Sequence, residues 1–165
     1  MVPLRPAVLF AALLVALAGL AAPGLAQQVA FGGLKADPSL PVEVTSDMLE
    51  VNQETGEALF TGNVVIGQGE MRLSAPRVLV IYKQGQRGIE RLEATGGVVL
   101  VSGPDAAQAE RAEYTIDSGV VVMTGDVLLT QGASALTSER MVVNLTTGTA
   151  QMAGRVKTIL QTGDE

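Results

Sequence analysis

Beyond Leu40 the chain alternates apolar and polar positions with a period of two. Leu49 and Val51 alternate with Glu50 and Asn52, and Met71, Leu73 and Ala75 alternate with Arg72 and Ser74. Successive side chains of a strand point to opposite faces, so this pattern predicts half-buried strands. Glycine turns punctuate the runs, as at Glu54-Thr55-Gly56 and Gln68-Gly69. No convincing helical period is found beyond Ala26. Ala106 to Ala112 has helical propensity. It follows the turn signal Pro104-Asp105, however, and falls where the repeat places a strand. The fold class read from the pattern is all-β.

The pattern also repeats. Thr61-Gly62-Asn63-Val64-Val65-Ile66-Gly67-Gln68-Gly69 recurs farther along as Thr124-Gly125-Asp126-Val127-Leu128-Leu129-Thr130-Gln131-Gly132. Shorter copies start at Ala94-Thr95-Gly96 and Met152-Ala153-Gly154. The marker glycines are therefore Gly62, Gly96, Gly125 and Gly154, with the last two intervals equal and the first one longer. The longer interval reads as an insertion or bulge near Gly88. A repeat unit of this length, about 29 residues, has one apolar face that it cannot bury alone. Stacked units predict an elongated antiparallel jellyroll or folded sheet, with glycine corners and an open edge strand at both ends.

Register assigns the inward apolar face to Val44, Leu49, Val51, Ala58, Phe60, Val64, Ile66, Met71, Leu73, Val80, Tyr82, Leu92, Val98, Leu100, Tyr114, Ile116, Met123, Val127, Leu129, Leu136, Met141, Val143, Met152 and Val156. The opposite face mixes Val65, Leu79, Ile81, Val99 and Leu128 with polar residues. A slip of one position would exchange the faces. Edge-strand contacts to a partner fall on Val42, Glu43 and Val44 at one end and on Val156, Lys157, Thr158 and Ile159 at the other. The competing expectation is that residues 27–40 and 161–165 fold over those ends.

The N-terminal segment, up to Ala26, changes the picture. One cation, Arg5, precedes an apolar run from Ala7 to Ala22, and Gly24 and Ala26 suit a signal-peptidase cut after Ala26. The run is short for a membrane span, although an uncleaved anchor has the same outline. The expected organisation is a signal peptide over 1–26, an extension over 27–40, the β domain over 41–160 and a tail over 161–165. Losing Arg5 leaves 10 cations against 17 acids. An acidic chain with so few aromatics lacks what nucleic-acid binding needs.

Chemistry is excluded residue by residue. Histidine and cysteine are both absent. That removes nucleophilic triads and the usual zinc ligand sets, so no catalytic residue, metal site or cofactor is expected. The pairs Glu90/Glu93 and Glu110/Glu113 differ by three positions, which on a strand puts their members on opposite faces.

Pro41-Val42-Glu43-Val44-Thr45-Ser46-Asp47, Phe60-Thr61-Gly62-Asn63-Val64, Ala75-Pro76-Arg77-Val78 and Gly154-Arg155-Val156-Lys157-Thr158-Ile159-Leu160 resemble, in order and spacing, the LptA/OstA-like family. The resemblance covers roughly residues 40 to 160. It implies a periplasmic jellyroll that binds the lipid A part of lipopolysaccharide between its sheets. It also implies partners with related domains, an inner-membrane anchor and an outer-membrane translocon, joined through open edges; the open edges themselves invite a head-to-tail homo-oligomer. Arg72, Arg77, Arg140 and Arg155 are candidate phosphate contacts at the groove rim. Met71, Met123, Met141 and Met152 suit disordered acyl chains, and equally suit an ordinary core. Two other readings are a structural or adhesive β-repeat protein without lipid cargo and a membrane-anchored transport component. A carbohydrate-active solenoid is disfavoured by the missing aromatics and acid pairs.

Overall fold

The computed structural model describes residues 27–30 and 34–161. The leader expected over 1–26 and most of the tail expected over 161–165 lie outside the described residues. Eleven strands follow in chain order: β1 (Gln27–Ala30), β2 (Glu43–Thr45), β3 (Met48–Asn52), β4 (Glu57–Gln68), β5 (Met71–Tyr82), β6 (Ile89–Ser102), β7 (Asp105–Thr115), β8 (Val120–Gln131), β9 (Ser134–Asn144), β10 (Thr149–Ala153) and β11 (Lys157–Ile159). They form one sheet, ordered β1-β10-β9-β8-β7-β6-β5-β4-β2, with β3 also on β4 and β11 also on β9. Every pairing is antiparallel. Ala106 to Ala112 lies within β7, so pairing on both sides overrides the helical propensity of its alanines.

The repeat is a repeat of corners. β4, β6 and β8 each carry a bulge where the register shifts, between Thr61 and Val64, Thr95 and Val98, and Thr124 and Val127. At each bulge two successive residues are left-handed: Gly62 and Asn63, Gly96 and Gly97, Gly125 and Asp126. Gly154 and Arg155 repeat the geometry between β10 and β11. A bulge bends its strand sharply, and glycine takes positive φ without a Cβ penalty. The aligned bulges therefore crease the sheet into two leaves, much as a spine folds a book. β2 and β3 are the two halves of one creased strand at one end, and β10 with β11 are the same at the other.

Hairpins close both margins. Gly69, Gly103 and Gly132 have positive φ, while the residue after each does not. Each opens a tight two-residue turn in the II′ arrangement, which suits the strand twist. On the other margin, turns run over residues 53–56, 116–119 and 145–148, but over 83–88 between β5 and β6. That longer loop is the insertion behind the longer first interval of the repeat.

Candidate functional site

The leaves face each other across an apolar interior built from four rows that cross the strands. Beside the spine run Phe60-Val78-Ala94-Ala112-Met123-Met141-Met152 on one leaf and Val64-Ala75-Val98-Ala109-Val127 on the other. Farther out run Ala58-Val80-Leu92-Tyr114-Val121-Val143 and Ile66-Leu73-Leu100-Ala107-Leu129-Leu136. Beside the spine the middle strands contribute alanines, Ala75, Ala94, Ala109 and Ala112, while Phe60 and the methionines occupy the ends of that level. Met123, Met141 and Met152 stand side by side on three successive strands, all fully buried. Val64, Ile66, Met71, Leu73, Val80, Leu92, Val98, Leu100, Tyr114, Val127, Leu129, Leu136 and Val143 are buried as expected, while Val44, Phe60 and Ile116 pack against this core half-buried.

The side opposite the spine is closed by polar bonds. Tyr114 Oη on one leaf donates to Gln68 Oε1 on the other at 2.6 Å. Gln68 Nε2 in turn donates to the carbonyls of Leu40 at 2.9 Å and Pro38 at 3.3 Å. Ser102 Oγ donates to the Lys35 carbonyl at 3.3 Å, and the Ala36 amide to the Leu145 carbonyl at 3.1 Å. Residues 34–40 thus run along the open margin, with Leu34 at 0% exposure inside it.

Burial pushes the Tyr114 hydroxyl above its ordinary pKa of 10.0. A folded-state pKa above the unfolded one means that the native chain keeps the proton to higher pH. This contribution is therefore complete below about pH 10 and is lost as pH rises through the raised value. Tyr114→Phe is expected to cost about 1–3 kcal/mol, because Gln68 Oε1 stays buried without its donor. It is also expected to flatten the alkaline fall in stability, which urea unfolding on either side of pH 10 checks.

Four residues expected inside are exposed instead. Leu49 and Val51 do lie on the inner rows, opposite Phe60 and Ala58. They belong to the outermost strand, though, and no facing leaf covers them: Leu49 is 53% and Val51 61% exposed. Tyr82, at the far end of β5, is 41% exposed, and Val156, at the last corner, is 37% exposed. For Leu49 and Val51 the period of two assigns the face correctly but is silent on coverage. At the edges, Glu43 in β2 and Lys157, Thr158 and Ile159 in β11 are exposed, while Val42 is half-buried. β1 pairs along β10, so at that end one leaf is covered and the other is open.

The cations are placed differently from expectation. Arg77 and Arg140 do not stand at a groove rim; they lie on the outer surface beside the spine. They sit in a row Thr61-Arg77-Thr95-Arg111-Thr124-Arg140. Arg111 completes this row, and its spacing from Arg77 and Arg140 matches that of the glycines. Arg155 is exposed at a corner and pairs with Glu139 at 3.4 Å. Arg72 alone of the four stands beside the open margin, donating to the Gly69 and Met71 carbonyls and lining a cleft of about 350 Å³ with Leu40, Glu43 and Val65. Among the described residues no cluster of acidic side chains could hold a metal ion.

Comparison with known proteins agrees with this architecture. A family model described as LptA/(LptD N-terminal domain) LPS transport protein matches residues 43–149, more than half of the chain. An uncharacterised protein of Rhizobium meliloti (strain 1021) is 34% identical over 134 residues, covering 72% of each chain. The lipopolysaccharide export system protein LptA of Escherichia coli (strain K12) is 25% identical over 106 residues, covering 61% of this chain and 57% of that protein. Among solved structures, LptH of Pseudomonas aeruginosa, the LptA-homologous periplasmic component of a lipopolysaccharide transport device, superposes with a TM-score of 0.68. It is 18% identical and covers 76% of this chain and 99% of its own. That likeness concerns the fold. The jellyroll, the corner repeat and the matched span together place this chain in the LptA/LptD N-terminal domain family of lipopolysaccharide transport proteins.

Proposed function

We propose that the chain is a periplasmic carrier that shields the lipid A part of lipopolysaccharide between its leaves and passes it from the inner toward the outer membrane. The observation that carries this reading is the continuous apolar interior, which runs from strand to strand and ends at an uncovered row, Leu49 and Val51. Each methylene kept from water is worth about 0.8 kcal/mol, so a multi-acyl lipid crosses an aqueous space only under such cover. The work is transfer of a lipid, which asks for no catalytic group.

The inward apolar residues form the acyl-chain surface in this reading, and Arg72, beside the open margin, meets a lipid phosphate. β2 at one end, with Val42, Glu43 and Val44, and β11 at the other offer backbone edges to a second copy or to related domains in a membrane anchor and an outer-membrane translocon. Release into the periplasm follows from cleavage after Ala26.

The test is a titration of residues 27–165 with fluorescent lipopolysaccharide, competed with unlabelled lipid A and with isolated core sugar. Saturable binding displaced by lipid A but not by sugar is the expected result. The tight packing of the inner rows favours one other reading, an edge-assembling structural protein without cargo. Failure to bind, with the β fold intact by circular dichroism, would leave that reading in place.

A further inference from the structure

The inner rows are packed shut, so an acyl chain can enter only by displacing something. Ile66, Leu73, Leu100, Leu129 and Met123 are all at 0–2% exposure. Most of this core sits on strands paired on both sides, which are costly to move. Leu34 is different. It is fully buried, yet it belongs to a segment with no ladder pairing.

We propose that residues 34–40 are a displaceable strap across the open margin of the roll, and that an acyl chain of the cargo takes the place of Leu34. This rests on the lipid-carrier reading and adds how the interior opens. The strap alternates like a strand, Leu34 and Ala36 inward and Lys35 and Asp37 outward. Four hydrogen bonds hold it to the leaves, two of them at 3.3 Å. A leucine side chain is also a fair mimic of a short run of methylenes, so exchanging it for an acyl segment keeps the interior apolar and filled.

The groups beneath the strap suit its departure. Gln68 and Ser102 are buried polar side chains in a mainly apolar interior, and both bond to strap carbonyls. With residues 34–36 lifted, Ser102 and the Leu145 carbonyl face the margin, where water or sugar hydroxyls can replace Lys35 and Ala36, while Gln68 keeps its bonds to the pivot. The strap also has a pivot at its far end. Ser39 donates from its amide and its hydroxyl to Asp37 Oδ1 at 2.9 and 2.6 Å, and Gln68 anchors the same turn through the Pro38 and Leu40 carbonyls. Residues 34–36 can swing about it while β2 stays paired to β4.

The chain contains no cysteine, so a pair at Ala36→Cys and Leu145→Cys would form its sole disulfide. Their backbones are already joined by the 3.1 Å bond, which sets the two positions side by side. The double variant of the mature chain is titrated with fluorescent lipid A before and after reduction. Only molecules with the strap open can load, so the oxidised form is expected to bind at least about tenfold more weakly than the same protein reduced. Equal binding in both states overturns the strap and leaves the carrier reading standing. Binding in neither state, nor by the unsubstituted chain, overturns both. A second readout needs no variant. Hydrogen exchange at the Ala36 amide is expected to lose its protection when the unsubstituted chain is saturated with lipid A, and unchanged protection also overturns the strap. Leu34→Ala is expected to strengthen lipid A binding, because a strap with less to bury opens more often; weaker binding counts against the proposal.

Discussion

Gly125→Val is expected to lower stability by about 4 kcal/mol, a large fraction of the roughly 5–15 kcal/mol that a folded domain commands. Two costs combine. Gly125 has φ +83, a conformation that strains any β-branched residue by about 1–3 kcal/mol. An added Cβ would also lie 2.8 Å from the Cβ of Glu110, which sits on the neighbouring strand and cannot swing away as a carboxylate can. Overpacking of that kind costs about 1–3 kcal/mol more. Gly132→Ala is the contrast. Its φ is +55 but nothing lies within 4 Å of the added Cβ, so only the backbone term of about 1–2 kcal/mol remains. Urea unfolding of both variants separates a spine glycine from a turn glycine. Near-equal losses would mean that close packing over the crease contributes little.

The corners account for how far the fold was legible in the sequence. Gly62, Gly96, Gly125 and Gly154 recur because each crease needs a residue without a Cβ, against Asp47, Pro76, Glu110 and Glu139 in turn. A steric demand repeated in space becomes a letter repeated in sequence. The inner rows were legible for the same reason, since strand pleating turns burial into alternation. The strap was not. Leu34 and Leu145 are buried from irregular segments, where no period marks a face. Ala94, Ala109 and Ala112 are hard to read because alanine is unremarkable by letter, although beside a spine its smallness is what packing requires. Arg111 does carry a signal, the shared spacing with Arg77 and Arg140. Its place on the outer surface follows only from the bulges.

Leu49→Asp combined with Val51→Asp is expected to leave the fold nearly untouched and to remove assembly and cargo transfer together. Both side chains are already more than half exposed, so their replacement changes little inside one chain, within about 1 kcal/mol allowing for the poor strand propensity of Asp. They nevertheless lie on the inner rows, opposite Phe60 and Ala58, at the point where the apolar interior runs out of sheet. If a second copy or a related domain continues the sheet there, it covers them. With about half of each side chain still to bury, their burial is then worth about 0.8–1.8 kcal/mol each, and losing both weakens association at least about tenfold. Sedimentation over a concentration series, with lipid A titrated into the same samples, measures both effects. The comparison also divides the two readings of the edge. Joining by backbone pairing alone is largely indifferent to side chains, so a structural filament would tolerate the two aspartates. A continuous apolar conduit would not, because the substitutions place two charges across its floor at the junction between one interior and the next.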